Sequence, residues 1–207
     1  MSKARAMPGL TFSSHQCADK AAEANALSQL YSFLALTMHY PDPKFCNTVF
    51  FEAMTSLLES LGSETELTLI QNWLHRTQDP LDELKTAYTL LFITAGPSGR
   101  IIPPYASVYR DGNGTLQGKS TEQIRDFYRR CGFDIADTNE PADHLRFQLH
   151  FLAALAGEGR LEDEQFFLQT FFRPWFKPFQ KRFMQEARHP FYTVSIQLID
   201  FFTKEEQ

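Results

Sequence analysis

The segment that decides the fold runs from Leu145 to Leu155 and reads LRFQLHFLAAL. Its bulky apolar residues lie on every face of a helix rather than on one stripe: Leu145, Phe147, Leu149, Phe151, Leu152 and Leu155. A helix that is apolar all round is buried among other helices. The segment therefore predicts a central helix, which ends at Gly157.

Four amphipathic helices are predicted on the N-terminal side of this segment. Residues 21–40 place their leucines, a tyrosine and a methionine on one helical face. A Pro-Asp-Pro tripeptide ends that helix and starts the second, with Asp42 as its predicted N-cap. Ser63 and Glu66 have the spacing of a capping box for a third helix, and Asp79, followed by proline, opens a fourth.

Further helices are predicted directly before and after the central segment. Ser120 is expected to cap a helix that reaches Arg130, and residues 139–141 are expected to begin the central helix. Three aromatic-rich helices follow, over residues 161–172, 174–187 and 190–202. The stretch from Gly96 to Lys119 holds five glycines and three prolines but also apolar residues that need packing partners, which predicts one long ordered loop.

The composition agrees with helices and disfavours a large sheet. The 207 residues include 20 Phe but only three Val, whereas strands favour β-branched residues. The hydrophobic share of 43% is enough for one domain with a core. We therefore predict an all-α fold: a single compact helical domain of about nine helices over residues 21–207, preceded by a flexible arm over residues 1–20.

Charge and cysteine content exclude several classes of protein. The net charge of −5 is the wrong sign for a general nucleic-acid binder. Three cysteines without a CxxC pair indicate neither a zinc site nor a redox motif, and they suit a reducing compartment. No apolar run is long enough for a signal peptide or a membrane span. We expect a cytoplasmic protein without a metal, a cofactor or stable membrane insertion.

The densest ionisable cluster is Glu140, Asp143 and His144, an ExxDH pattern at the expected start of the central helix. Residues three and four apart share a helical face, so the cluster suits acid–base chemistry or the binding of a cation. The alternative is structural, because a carboxylate at the third helical position caps free amides. The sequence leaves both interpretations open and favours capping.

Several motifs in order resemble the TorD/DmsD family of redox-enzyme maturation chaperones. They are YTLLF at 88–92, GP at 96–97, PPYASVY at 103–109, EPADH at 140–144, RPW at 173–175 and HPFY at 189–192. The resemblance covers about residues 21 to 202. It implies an all-helical cytoplasmic chaperone that binds the twin-arginine signal peptide of a molybdenum-cofactor oxidoreductase and delays export by the Tat pathway until the cofactor is inserted.

The resemblance also implies which residues bind the peptide, and none of them is catalytic. Matched to the family motifs, they are Tyr88, Phe92, Pro104, Tyr105, Ser107, Tyr109, Glu140, Asp143 and His144. We expect Glu140 and Asp143, with Asp134 and Asp137 upstream, to contact the arginines of the peptide. The loop with its proline and tyrosines would cover the apolar part of the peptide, so that the loop and the helix start form two walls of one groove.

Two other functions remain open. One is a small cofactor- or nucleotide-handling enzyme that uses Asp143 and His144 as an acid–base pair. The other is an interaction scaffold that exchanges its C-terminal helices within a homodimer, which the long connection from Gly96 to Lys119 would permit.

Overall fold

A computed structural model describes residues 14–94, 101–111, 114, 116–135 and 139–204, with side chains from residue 22 onward. These residues form helices and no strand, which confirms the all-α prediction. The α-helices are α1 (Ser14–Thr37), α2 (Thr48–Ser60), α3 (Glu64–Arg76), α4 (Pro80–Tyr88), α5 (Ala106–Arg110), α6 (Lys119–Arg130), α7 (Leu145–Gly157), α8 (Leu161–Phe167), α9 (Arg173–Glu186) and α10 (Pro190–Thr203).

Two π-helical turns join some of these helices end to end. Thr89–Ile93 extends α4, and Leu168–Phe172 connects α8 to α9 without a break. Counted as continuous helices, the described residues form nine, the predicted number, although α5 is additional and the helices predicted over residues 161–172 and 174–187 form one. In this part of the chain, no helix is long and apolar enough to cross a membrane.

Helix α7 lies at the centre of the fold, as its apolar circumference predicts. Leu145, Leu149 and Leu152 have no exposed surface. Helix α1 packs along α7, and the Ser28 hydroxyl donates a hydrogen bond to the Ala153 carbonyl (2.7 Å). This contact lets two helical backbones lie close together, because the serine and the alanine are both small.

Aromatic side chains fill the space between α7 and the C-terminal helices. We call six fully buried side chains the aromatic core: Phe167, Phe172, Trp175, Phe176, Phe179 and Phe183. The five rings from Phe172 to Phe183 lie 5.0–6.0 Å from their neighbours in tilted, stacked or edge-on pairs, the spacing that aromatic pairs prefer, and Phe167 pairs with Phe151 of α7 (4.9 Å). The Arg173 guanidinium joins α9 to α10 through Asp200 (2.8 Å) and Thr203 (3.2 Å).

The structure confirms some of the predicted N-caps and contradicts others. Asp79 caps α4 as expected, its carboxylate accepting a hydrogen bond from the Asp82 amide (3.1 Å). Ser63 lies at the N-cap of α3 but makes no side-chain capping bond. The prediction for Asp42 is wrong: α2 begins five residues later than the proline pair suggests and is capped by Asn47, while Asp42 accepts from the Lys44 amide in a turn (2.8 Å).

Two predicted segment boundaries also change. The expected loop from Gly96 to Lys119 contains a helix, α5, although residues 95–100, 112, 113 and 115 lie outside the described part. The predicted N-terminal arm, residues 1–20, overlaps α1 from Ser14 onward, and residues 1–13 lie outside the described part. Local sequence missed α5 because this helix of five residues is held mainly by distant side chains.

Candidate functional site

Two of the predicted motifs meet beside the first turn of α7. Tyr105 and His144 form an isolated antiparallel bridge, and the Leu145 amide donates to the Pro104 carbonyl (2.8 Å). The residues that meet are about forty positions apart in sequence. We call Tyr105, Ser107, Glu140, Asp143, His144 and Gln148 the polar junction.

The start of α7 differs from the sequence prediction. The helix begins at Leu145 instead of residues 139–141, because the backbone of His144 is extended (φ −62°, ψ 138°) and pairs with Tyr105. Glu140, Asp143 and His144 therefore precede the helix and do not share one of its faces. The prediction that Asp143 occupies the third helical position is wrong.

Asp143 instead caps a different helix. Its fully buried carboxylate accepts a hydrogen bond from the Ser107 amide through Oδ2 (2.7 Å), at the start of α5. Its carbonyl accepts from the Ala106 amide (3.2 Å) and from Gln148 Nε2 (2.7 Å). Within the described part of the chain, Asp143 Oδ1 has no hydrogen-bond partner. The carboxylate thus fixes α5 against α7, as an N-cap supplied from 36 residues away.

His144 is the N-cap of α7 and is equally buried. Its Nδ1 accepts a hydrogen bond from the Arg146 amide (3.1 Å), and 2% of the residue is exposed. Burial, and then the positive charge of Arg146, hold the pKa of this imidazole well below its usual range. The ring is therefore a neutral structural acceptor at physiological pH and is not positioned to exchange protons with solvent.

Glu140 is the partly exposed acid of the polar junction. Its Oε1 accepts a hydrogen bond from the Tyr105 hydroxyl, and its Oε2 lies 3.6 Å from the Arg146 guanidinium. Burial and this contact with the carboxylate raise the pKa of Tyr105. The side chain of Glu140 is 27% exposed, so a ligand can reach its carboxylate from solvent.

Arg146 places a positive charge next to Glu140. Its guanidinium lies 4.7 Å from the centre of the Phe147 ring, and 17% of its side chain is exposed. Burial, and then the charge of Arg146, lower the pKa of His39 to about 4 and also lower the pKa of His150. The two imidazole rings lie edge-on with their centres 5.9 Å apart, and both remain uncharged near neutral pH.

An apolar pocket of about 260 Å³ lies along α7 and includes Phe147 in its lining. Its lining is mostly aromatic, with one carboxylate at the rim: Tyr128, Phe133, Asp134, Ile135, Phe147, His150, Phe151 and Ala154. Asp134 is 67% exposed and lies 3.8 Å from Arg129. Asp137, the other acid expected at this position, lies outside the described residues. Since Phe147 contacts Arg146, the pocket adjoins the polar junction.

Most of the other predicted site residues are buried and pack against neighbouring helices. The Tyr88 hydroxyl donates to the Met38 carbonyl (3.3 Å), and Phe92 stacks on Phe183. Tyr109 packs on Trp175 and is only partly exposed. Of the nine predicted residues, six are buried: Tyr88, Phe92, Pro104, Ser107, Asp143 and His144.

Sequence reasoning missed Gln148 and Arg146. Gln148 is fully buried; its Nε2 donates to the Asp143 carbonyl and its Oε1 accepts from Trp175 Nε1 (3.1 Å), so that it connects the polar junction to the aromatic core. A glutamine within an otherwise apolar helix is the signal that was available, because a buried amide needs hydrogen-bond partners. Among the described residues, no group of three or more His, Cys, Asp or Glu side chains is placed to hold a metal ion.

The fold and the site place the protein in a class of all-helical proteins. Its site combines a partly exposed carboxylate with an aromatic pocket, which are linked through Arg146 and Phe147. Residues 52–181 match the family model described as nitrate reductase delta subunit. The chain belongs to this family, which includes the TorD and DmsD chaperones, and the resemblance seen in the motifs is confirmed.

Named relatives support this assignment. The chain is 36% identical over 118 residues to the Tat proofreading chaperone DmsD of Salmonella paratyphi A, and the match covers 56% of this chain and 57% of that protein. It is 30% identical over 162 residues to the chaperone protein TorD of Vibrio cholerae serotype O1, and the match covers 72% of each. The chain thus spans less than two thirds of the length of the Salmonella relative.

A solved structure shares the fold. The crystal structure of a protein described as a redox enzyme maturation protein from Archaeoglobus fulgidus superposes with a TM-score of 0.56. The match covers 96% of this chain and 100% of that one, at 24% sequence identity.

Proposed function

We propose that the protein is a cytoplasmic chaperone that binds the twin-arginine signal peptide of a molybdenum-cofactor oxidoreductase and delays its export until the cofactor is inserted. The relatives named Tat proofreading chaperone DmsD and chaperone protein TorD support this proposal. The observation that carries it is the position of Glu140, a partly exposed carboxylate that is linked through Arg146 and Phe147 to an aromatic pocket. A twin-arginine peptide has the matching order of groups, two guanidinium groups followed by an apolar segment.

The nine predicted residues divide into two roles in this proposal. Glu140, Tyr105 and Tyr109 are partly exposed and contact the peptide. The six buried residues position them: Asp143, Ser107, His144 and Pro104 fix the loop against α7, while Tyr88 and Phe92 anchor the end of α4. Asp143 therefore acts on the peptide through the backbone that it holds and does not contact it.

The arginines of the peptide meet Glu140 first in this proposal. A guanidinium binds a carboxylate with charge-assisted hydrogen bonds, which are stronger than those between neutral groups. Arg146 forms an ion pair with the same carboxylate at 3.6 Å, so an arginine of the peptide competes with Arg146 for Glu140. Asp134, at the rim of the aromatic pocket, offers a second carboxylate.

The apolar segment of the peptide then occupies the aromatic pocket. The pocket of about 260 Å³ holds one or two side chains, so it accounts for part of such a segment only. Because the peptide must be released for export, we expect an affinity of roughly micromolar, about 8 kcal/mol.

Calorimetric titration with the signal peptide of a molybdenum oxidoreductase tests the proposal. The Arg-Arg peptide should bind, and its Lys-Lys variant should bind several-fold more weakly, since an ammonium cannot form the paired contact. Glu140→Gln should weaken the binding of the Arg-Arg peptide about tenfold, whereas Glu59→Gln, on the exposed surface of α2, should have no effect. Equal affinity of wild type and Glu140→Gln would contradict the proposed site.

A purely non-enzymatic role is part of this proposal. The alternative, acid–base catalysis by Asp143 and His144, needs both side chains at a surface, and both are buried, with Asp143 Oδ2 and His144 Nδ1 each accepting from a backbone amide. A turnover assay with molybdenum cofactor or a guanine nucleotide should show no product. Any catalytic turnover that disappears in His144→Gln would favour the enzyme.

Homodimer formation by exchange of the C-terminal helices stays a prediction. The connection that would have to open contains α5, which is capped by Asp143. Opening it costs these contacts, so we expect an exchanged dimer to form only at high protein concentration in sedimentation. A dimer whose fraction grows with concentration would support helix exchange.

A further inference from the structure

A second cavity lies between α1, the start of α8 and the end of α10. Its volume is about 580 Å³, more than twice that of the aromatic pocket, and large apolar side chains line it: Leu27, Leu161, Leu168, Phe201 and Phe202. Leu161 is 61% exposed and Phe201 is 48% exposed. We call this cavity the α1–α8–α10 groove. Two bulky apolar side chains exposed at one groove are typical of a surface that another molecule covers.

The groove is distinct from the polar junction. It borders α1 near Leu27, whereas His39, just beyond the end of this helix, faces the junction side of α7. At about 1.5 Å per residue, the ten steps from Leu27 to the end of α1 at Thr37 correspond to about 15 Å. The few side chains of a peptide that contact Glu140 therefore do not also occupy the groove.

A carboxylate lies in the wall of this groove. Glu164 is 6% exposed, and its Oε1 accepts a hydrogen bond from the Tyr31 hydroxyl (2.9 Å). Its Oε2 is buried and has no hydrogen-bond partner among the residues that the structure describes. Burial raises the pKa of this carboxyl, which reflects the cost of holding its charge without a counterion.

Lys204, the lysine that lines the groove, contacts an aromatic ring instead of Glu164. Lys204 Nζ lies 4.5 Å from the centre of the Phe201 ring, and no ion pair joins it to Glu164 in the described structure. Gln165 and Gln169 complete the polar part of the lining and carry no charge. Among the described residues that line this groove, Glu164 Oε2 is the buried oxygen without a partner, and a cationic donor from outside would satisfy it.

We propose that the α1–α8–α10 groove docks a partner-protein segment in which one Lys or Arg is flanked by bulky apolar residues. The cationic group binds Glu164 Oε2, and the flanking side chains cover Leu161 and Phe201. The pairing is complementary in charge and in polarity, since an acid surrounded by apolar surface selects a base surrounded by apolar surface. The proposal goes beyond signal-peptide binding and does not depend on it.

The probe for this groove is the capped peptide acetyl-Leu-Leu-Arg-Leu-Phe-amide, titrated calorimetrically into the full chain. Its matched partner carries citrulline in place of arginine, which keeps the shape and removes the charge. We expect the arginine peptide to bind at least about tenfold more tightly than the citrulline peptide, because charge-assisted hydrogen bonds are roughly twice as strong as neutral ones.

Glu164→Gln should remove this preference. Its amide oxygen still accepts the hydrogen bond of Tyr31, so the fold is kept, but the arginine peptide should bind about tenfold more weakly and no better than the citrulline peptide. Glu162→Gln is the matched control on the same helix, because Glu162 is exposed and does not line the groove. Leu161→Ser should weaken both peptides equally, and Glu140→Gln should weaken neither.

Several results would overturn the proposal. They are failure of the arginine peptide to bind, equal binding of the two peptides by wild type, and the same loss in Glu162→Gln as in Glu164→Gln. If Lys3→Gln with Arg5→Gln strengthened binding several-fold, the occupant would be this chain's own N-terminal segment. If binding weakened as protein concentration rose, the occupant would be a second copy of the chain.

Discussion

The aromatic core and the polar junction differ in what holds them together. The core consists of rings that touch one another, and Gln148 is its hydrogen-bonded link to the junction. The junction consists of hydrogen bonds between segments that lie 36 positions apart, such as Asp143 to the Ser107 amide. The difference indicates that the core supplies stability, while the junction holds one exposed acid, Glu140, in place.

The largest expected effect is the removal of a ring from the core. Phe179→Ala deletes contacts with Trp175 (5.6 Å between ring centres) and Phe183 (5.9 Å) and leaves a cavity. The free energy of unfolding should fall by about 3–5 kcal/mol in urea titrations. Phe166→Ala is the control, because this ring is 49% exposed, and it should cost less than about 1 kcal/mol. Equal losses would show that the core is not the main source of stability.

A smaller loss of stability is expected within the junction. Asp143→Ala leaves the Ser107 amide buried without an acceptor, which should cost about 1–3 kcal/mol of unfolding free energy. Asp143→Asn keeps an oxygen for the same hydrogen bond and should cost less. If the alanine variant were as stable as the wild type, Asp143 would not cap α5 in the way that the geometry indicates.

The smallest effect, because solvent reaches and screens this half-buried imidazole, is a pH dependence from His39 beside the junction. The pKa of His39 is about 4 in the folded protein and about 6.5 in an unfolded chain, so only the unfolded state gains a proton between these values. Stability should therefore decrease as the pH falls from about 6.5 to about 4. Urea titrations across this range should show a shallower decrease for His39→Gln. An unchanged slope would exclude His39 as a contributor.

The two regions also differ in how well the sequence predicts them. The rings of the core follow helical periodicity, and the apolar circumference of residues 145–155 correctly places α7 at the centre. Local capping signals succeed where the partner is adjacent, as at Asp79, and fail at Asp42, where the chain makes a turn before α2 begins.

The junction is beyond such local signals because its partners are distant in sequence. The ExxDH pattern identifies Glu140, Asp143 and His144 as a cluster, but only the folded chain shows that Asp143 caps α5 and that α7 starts after the cluster. The family motifs bring the right segments together, yet they do not separate Glu140, which faces solvent, from the buried Asp143.

The most direct measurement is a thermodynamic cycle between Glu140 and the arginines of the signal peptide. Calorimetry gives the affinities of the Arg-Arg peptide and of a peptide with both arginines replaced by citrulline, each for wild type and for Glu140→Gln. If Glu140 contacts an arginine, the citrulline peptide loses about tenfold in affinity for wild type and little for Glu140→Gln. Equal losses for both proteins would contradict the contact and place the arginines elsewhere on the chain.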